Sequence, residues 1–96
     1  MVSLDDIRPK RDAILHIAAR HGARDVRIFG SFVRGEATEQ SDLDLLVCMD
    51  QDRSLLDRIG MIHDLEDLLG RKVDVVNEQA LHHTLRDRIL REVVAL

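Results

Sequence analysis

Apolar residues recur along this chain with two different periods, and each change of period marks an element. Leu4, Ile7, Ile14, Ile17 and Ala18 fall near helical spacing. Ser3, followed three residues later by Asp6, reads as a capping box. Pro9 is awkward in that segment, because a proline inside a helix removes a hydrogen bond. Either the helix proper starts near Arg8, or its first turn is kinked. Gly22 is the expected end. Asp25-Val26-Arg27-Ile28-Phe29 alternates polar and apolar, which is the period of a strand. Gly30-Ser31 breaks it, a short helical turn is expected over Phe32 to Gly35, and a polar loop runs to Ser41.

Asp42 to Met49 reads as a second strand, and Asp50-Gln51-Asp52-Arg53 as a turn. Ser54 with Asp57 forms a second capping box. It opens a helix whose apolar side is expected to carry Leu55, Ile59, Ile62, Leu65, Leu68 and Leu69, closed by Gly70. Lys72 to Asn77 is the third strand. A last helix, interrupted or not, covers about Gln79 to Val94, with Leu81, Leu85, Ile89, Leu90 and Val93 inward. The order αβ(α)βαβα places the chain in the α/β (α+β) class. It has no repeat, no linker and no low-complexity stretch, so residues 1–96 are expected to form one domain.

Composition sharpens this reading. Hydrophobic residues make up 45% of the chain but aromatics only 2%, so the core must be built from Leu, Ile, Val and Ala. The single Cys48 has no partner for an internal disulfide, which fits a reducing, cytosolic compartment. No apolar run is long enough to span a membrane. The N-terminus is acidic and lacks the order of a signal peptide. The net charge of −4 is unevenly spread: residues 35–57 hold seven acids against one Arg, whereas residues 1–34 are net basic. With no Trp or Tyr and no strongly basic patch, direct nucleic-acid binding is not expected.

The acidic excess contains the chain's clearest chemical pattern. Asp42 and Asp44 are one residue apart in a strand-like run, so both project to one face while Leu43, Leu45 and Val47 project to the other. Asp74, in the third strand, joins them if the two strands are neighbours. Carboxylates that close repel, and one or more stays protonated unless a cation intervenes. Mg²⁺ is the natural cation, since it takes the rest of its shell from water and substrate phosphates. Gly30-Ser31, after a strand and before a helical turn, suits phosphate: glycine allows close backbone approach and the hydroxyl adds a donor.

Gly30-Ser31-Phe32-Val33-Arg34-Gly35-Glu36-Ala37 and Ser41-Asp42-Leu43-Asp44-Leu45-Leu46-Val47 together resemble the signature of the minimal nucleotidyltransferases of the DNA polymerase β-like superfamily. The likeness continues through Gly70-Arg71-Lys72-Val73-Asp74-Val75-Val76 to Leu85-Arg86-Asp87-Arg88-Ile89-Leu90-Arg91-Glu92. The resemblance implies a small mixed sheet of about three strands with flanking helices. It also implies ATP as donor and transfer of a nucleoside monophosphate. Many such proteins act as antitoxins of HEPN-type RNase toxins, some by attaching AMP to a toxin tyrosine. On that reading Asp42, Asp44 and Asp74 hold about two Mg²⁺ ions and carry the chemistry. Gly30 and Ser31 hold phosphates, and Arg34 stabilises charge on the leaving group.

Each of these residues has a plainer reading. Arg34 suits a solvated surface, and Asp74 an ion pair with Lys72 or Arg71. Cys48 reads as core. His16, His21 and His63 read as surface or satisfied residues, and the adjacent His82 and His83 do not face one way on a helix. Phe29 reads as core; if either phenylalanine borders a base pocket, it is Phe32. Two other functions compete with AMP transfer to a toxin: neutralisation of the toxin by complex formation alone, and nucleotidyl transfer to a small molecule such as an aminoglycoside. A homodimer or an assembly with the toxin would supply the acceptor wall that so short a chain lacks.

Overall fold

The computed structural model describes residues 2–96; Met1, the first residue of the expected domain, lies outside the described residues. The chain opens with two short 3₁₀ turns, Leu4–Asp6 and Arg8–Lys10, before helix α1 (Arg11–Arg20). Ser3 and Asp6 do form a reciprocal capping box. Pro9 sits at the start of the second 3₁₀ turn, where its missing N–H costs least, and it delays the helix to Arg11.

Strand β1 (Ala23–Phe29) is longer than its alternating pattern suggests. Its register against the next strand shifts between Arg24 and Arg27, and Asp25 takes a left-handed φ of 55°. That bulge hides the first strand residues from a period-2 reading. A single helical turn, α2 (Ser31–Arg34), is followed by a loop and strand β2 (Leu43–Met49). Helix α3 (Leu55–Leu69) has the expected Ser54–Asp57 capping box and the left-handed Gly70 at its end. Strand β3 (Val73–Asn77) follows.

The last segment departs from the single long helix expected. It forms a 3₁₀ turn at Glu78–Ala80, helix α4 (His83–Leu90), and a short strand β4 (Val94–Ala95). Leu81 has an extended backbone, and the α4 start is capped by His82, whose Nδ1 accepts the Thr84 N–H. The sheet therefore has four strands rather than about three, in the order β3-β2-β1-β4. β1 runs antiparallel to both β2 and β4, and β2 runs parallel to β3, with α3 as the crossover between them. β4 was hidden because two paired residues carry no periodicity.

One face of the sheet packs against α1 and α3. Ile14 and Ala18 from α1, Met61 and Leu65 from α3, and Ile28, Leu43, Leu45, Val47 and Val75 from the strands form the buried core. Two expectations about inward residues fail. Leu55 is 60% exposed and Ile59 39%, while the unanticipated Met61 is fully buried, so the helix turns its core-facing side through Met61 and Leu65. Helix α4 buries none of its residues fully. Leu85 and Leu90 are exposed, because the helix lies over the opposite face instead of closing the core.

Candidate active site

The opposite face gathers the polar residues. Alternation along β2 sends Leu43, Leu45 and Val47 into the core, all at 0% exposure, and turns Asp44 the other way. In the parallel β2–β3 pair Asp44 stands directly opposite Asp74, and residues in register share a face. On the other side Asp44 pairs with Phe29, the last residue of β1, which leads into Gly30. Asp42 precedes the first residue of β2 and is exposed, as is Asp74; Asp44 is half-buried. Leu43 N–H donates to the carbonyl of Lys72 at 3.0 Å, which pins the two aspartate-bearing segments together.

Gly30 is required where it stands. Its φ of 82° belongs to the left-handed region, and a Cβ there would collide with the Asp44 carboxylate. The glycine thus lets backbone and carboxylate approach closely. Its N–H donates to Glu92 Oε1 at 2.7 Å. Arg34, at the end of α2, pairs with Glu36 and reaches the same Glu92 oxygen at 3.1 Å and the second one at 3.3 Å. The hydrogen bonds from Glu36 and then Glu92 raise the Arg34 pKa above its ordinary value, so the guanidinium stays charged.

Electrostatics single out Asp44. Burial, then the neighbouring charges of Asp74 and Asp42, push its pKa up to about 6; Arg34 opposes this and Glu92 adds to it. All three aspartates therefore share one electrostatic neighbourhood. Among the described residues, no three His, Cys, Asp or Glu side chains gather into a group that could hold a metal ion unaided. The donor set fits Mg²⁺ in particular, which binds through one or two carboxylates and completes its shell with water and phosphate. A carboxylate forced toward protonation by its neighbours is also the group a cation would relieve.

A cavity of about 360 Å³ adjoins this face, lined by Phe29, Gly30, Arg34 and Asp44 together with Leu85, Arg88, Ile89 and Glu92 from the C-terminal segment. Ser31, Asp42 and Asp74 lie outside its lining. Phe29 and Phe32 exchange their expected places. Phe32 is buried at 3% exposure, with the Arg71 guanidinium 5.1 Å from its ring centre, whereas Phe29 borders the cavity. Arg71 does not pair with Asp74. It donates to the carbonyls of Ser41 at 2.9 Å and Thr38 at 3.4 Å, tying down the loop that leads into Asp42.

Sequence reasoning missed Glu92, Arg88, Leu85 and Ile89 as neighbours of the site. Their one signal was that all four fall in the C-terminal run that carried the family likeness. The other polar candidates take structural places. Cys48 is buried, with its thiol pKa raised chiefly by burial, and Arg27 lies 3.7 Å from its sulfur. His21 bonds Asp64 at 2.7 Å across α1 and α3. His82 and His83 are exposed, their ring centres 4.4 Å apart.

Comparison with known proteins places the whole chain rather than the site. Residues 12–96 match the family described as "Nucleotidyltransferase domain". The chain is 47% identical over 75 residues to the protein adenylyltransferase MntA of Thermococcus cleftensis, covering 78% of this chain and 76% of that one. A solved structure described as a minimal nucleotidyltransferase superposes with a TM-score of 0.88 at 49% identity, covering 99% of this chain and 97% of the other. The fold also matches, at 16% identity and a TM-score of 0.71, a chain from a complex of the tri-AMPylated Shewanella oneidensis HEPN toxin with an MNT antitoxin. That match covers 92% of this chain and 69% of the other.

Proposed function

Since the chain belongs to the nucleotidyltransferase domain family, we propose that it transfers AMP from Mg²⁺-ATP to a hydroxyl, a tyrosine, of a partner HEPN-type toxin and so acts as its antitoxin. One observation carries the site assignment: Asp44 faces Asp74 in register, beside a glycine whose missing side chain makes room for the Asp44 carboxylate. The similarity to a protein adenylyltransferase and the shared fold with a toxin-bound antitoxin support AMP and toxin as donor group and partner.

Asp42, Asp44 and Asp74 would hold the Mg²⁺, about two ions in sites of this class. When bound, Mg²⁺ neutralises the carboxylates and the phosphates and acidifies the acceptor hydroxyl. The Gly30 N–H and the Ser31 hydroxyl donate to the β- and γ-phosphates, and Arg34 offsets the charge that grows on the leaving group. The acceptor oxygen forms a bond to the α-phosphorus as the bond from that phosphorus to the β-bridging oxygen breaks. Pyrophosphate departs with the electron pair, and Asp74 receives the hydroxyl proton. The chain contains no Tyr, so a tyrosyl acceptor belongs to another molecule.

No helix among the described residues is long and apolar enough to cross a membrane. The single Cys48, free and buried, fits a reducing, cytosolic place of work. Intact mass of the purified toxin after incubation with this chain, ATP and Mg²⁺ tests the proposal. The expected result is one or more added AMP groups, lost in Asp42→Asn with an unchanged fold. A tight complex with no added mass would point instead to neutralisation by occlusion.

A further inference from the structure

Glu92 has no part in the chemistry just described, yet its carboxylate engages two of the candidate phosphate ligands, Gly30 and Arg34. Oε1 accepts from the Gly30 backbone N–H at 2.7 Å and from Arg34 Nη1 at 3.1 Å, and Oε2 lies 3.3 Å from the same guanidinium nitrogen. A single oxygen shared by a backbone N–H and an arginine is the arrangement a phosphate oxygen would take. We propose that Glu92 is an exchangeable occupant of the phosphate seat: it fills these donors when no nucleotide is present, and its carboxylate must leave for the triphosphate to bind. The inference rests on the reading of Gly30 and Arg34 as phosphate ligands.

Charge decides between leaving and staying. The face already carries Asp42, Asp44 and Asp74, and a triphosphate adds several negative charges. A fourth carboxylate on the very donors the phosphates need would repel them and compete for the same N–H bonds. The fold also permits the exchange. The Glu92 side chain is 31% exposed and lies in the turn between α4 and β4. Val94, two residues on, is held against Ile28 of β1, so the backbone can stay in place while the side chain changes rotamer. Arg34 does not lose its support when Glu92 departs, because Glu36 still pairs with it. Glu36 thus holds the guanidinium, and Glu92 is the anion that exchanges. Arg88, which lines the same cavity as Arg34, gives the incoming phosphates a second cation.

The test is calorimetric binding of Mg²⁺-ATP and of inorganic tripolyphosphate to the wild-type chain and to Glu92→Ala, Glu92→Gln and Arg34→Ala. Thermal unfolding checks that each variant is folded. Breaking a partly exposed ion pair is a modest effect, so Glu92→Ala is expected to tighten tripolyphosphate binding about two- to fivefold. Glu92→Gln, which keeps an acceptor for the Gly30 N–H but loses the charge, should fall between it and wild type. Arg34→Ala should weaken binding. If Arg34→Ala weakens binding but Glu92→Ala leaves it unchanged or weakens it too, Glu92 merely braces the arginine, and this inference alone is overturned. If Arg34→Ala has no effect either, the phosphates bind elsewhere, and the assignment of the phosphate ligands falls with it.

Discussion

Asp44 shows how a candidate catalytic group is held at a cost. Its carboxylate is half-buried against Gly30 and flanked by Asp74 and Asp42, and its pKa rises to about 6. Because the folded state binds the proton more tightly than the unfolded chain, the stabilising protonated form is fully present below the unfolded value near 3.8. That contribution is lost as the pH rises through about 6. In chelator, Asp44→Asn is therefore expected to be more stable than wild type at pH 8, by about 1 kcal/mol once solvent screening is allowed for. The advantage should fade through pH 6 and vanish near pH 4. Melting temperatures across that range check the sign; an advantage that does not change with pH would remove the electrostatic explanation. Gly30→Ala tests the same contact from the other side. The left-handed backbone and the collision with Asp44 should together destabilise the chain by about 2 kcal/mol or more, read by denaturant unfolding.

Elements deliver these residues through a few ties that local pattern does not announce. Asp74 depends on β3 lying parallel to β2 in the observed register; a slip of one residue would turn it to the core side. Asp42 lies outside the strand, at the end of a loop whose Ser41 and Thr38 carbonyls are bound by Arg71. Arg71 itself leads into β3, so one side chain fixes the approach to both aspartates. Arg71→Ala is expected to leave the secondary structure intact, by circular dichroism, and to slow AMP transfer about ten- to a hundredfold, the usual cost of a displacement near 1 Å in a reacting group. Unchanged transfer would show that the loop holds Asp42 without help. Strand β4 has a different task. By pairing with Arg27 and Ile28 it covers the outer edge of β1. A chain shortened after Glu92 should expose that edge and self-associate, giving a larger species on size exclusion than the full chain.

At the scale of the whole molecule, two layers divide the labour. Helices α1 and α3 cover one face and, with Phe32 of α2, supply the helical part of the buried core, while the other face gathers the aspartates. The cavity there is shallow and walled on one side by α4, which buries none of its own residues fully. So small a fold offers little surface to enclose an acceptor, and a folded partner that brings its own hydroxyl suits it. The large apolar residues left exposed are Leu55, Leu56 and Ile59, in the N-terminal part of α3 before its buried Met61 and Leu65, and Leu85 and Leu90 on α4.

Much of this was determined by the chain's own order of residues. Alternation at 43–47, the two capping boxes and the closing Gly70 are local signals, because each depends on neighbours a few positions away. They sufficed to place β2, α3 and Asp44, whereas Asp42, expected inside the strand, lies just before it. Other features belong to the tertiary structure alone. That Asp74 meets Asp44, that Phe29 rather than Phe32 borders the cavity, that the last segment splits into α4 and β4, and that Glu92 comes back to the Gly30 N–H all join residues far apart in sequence. The physical reason is that packing and charge act through space: whether a carboxylate is buried, paired or crowded depends on which distant segments fold against it.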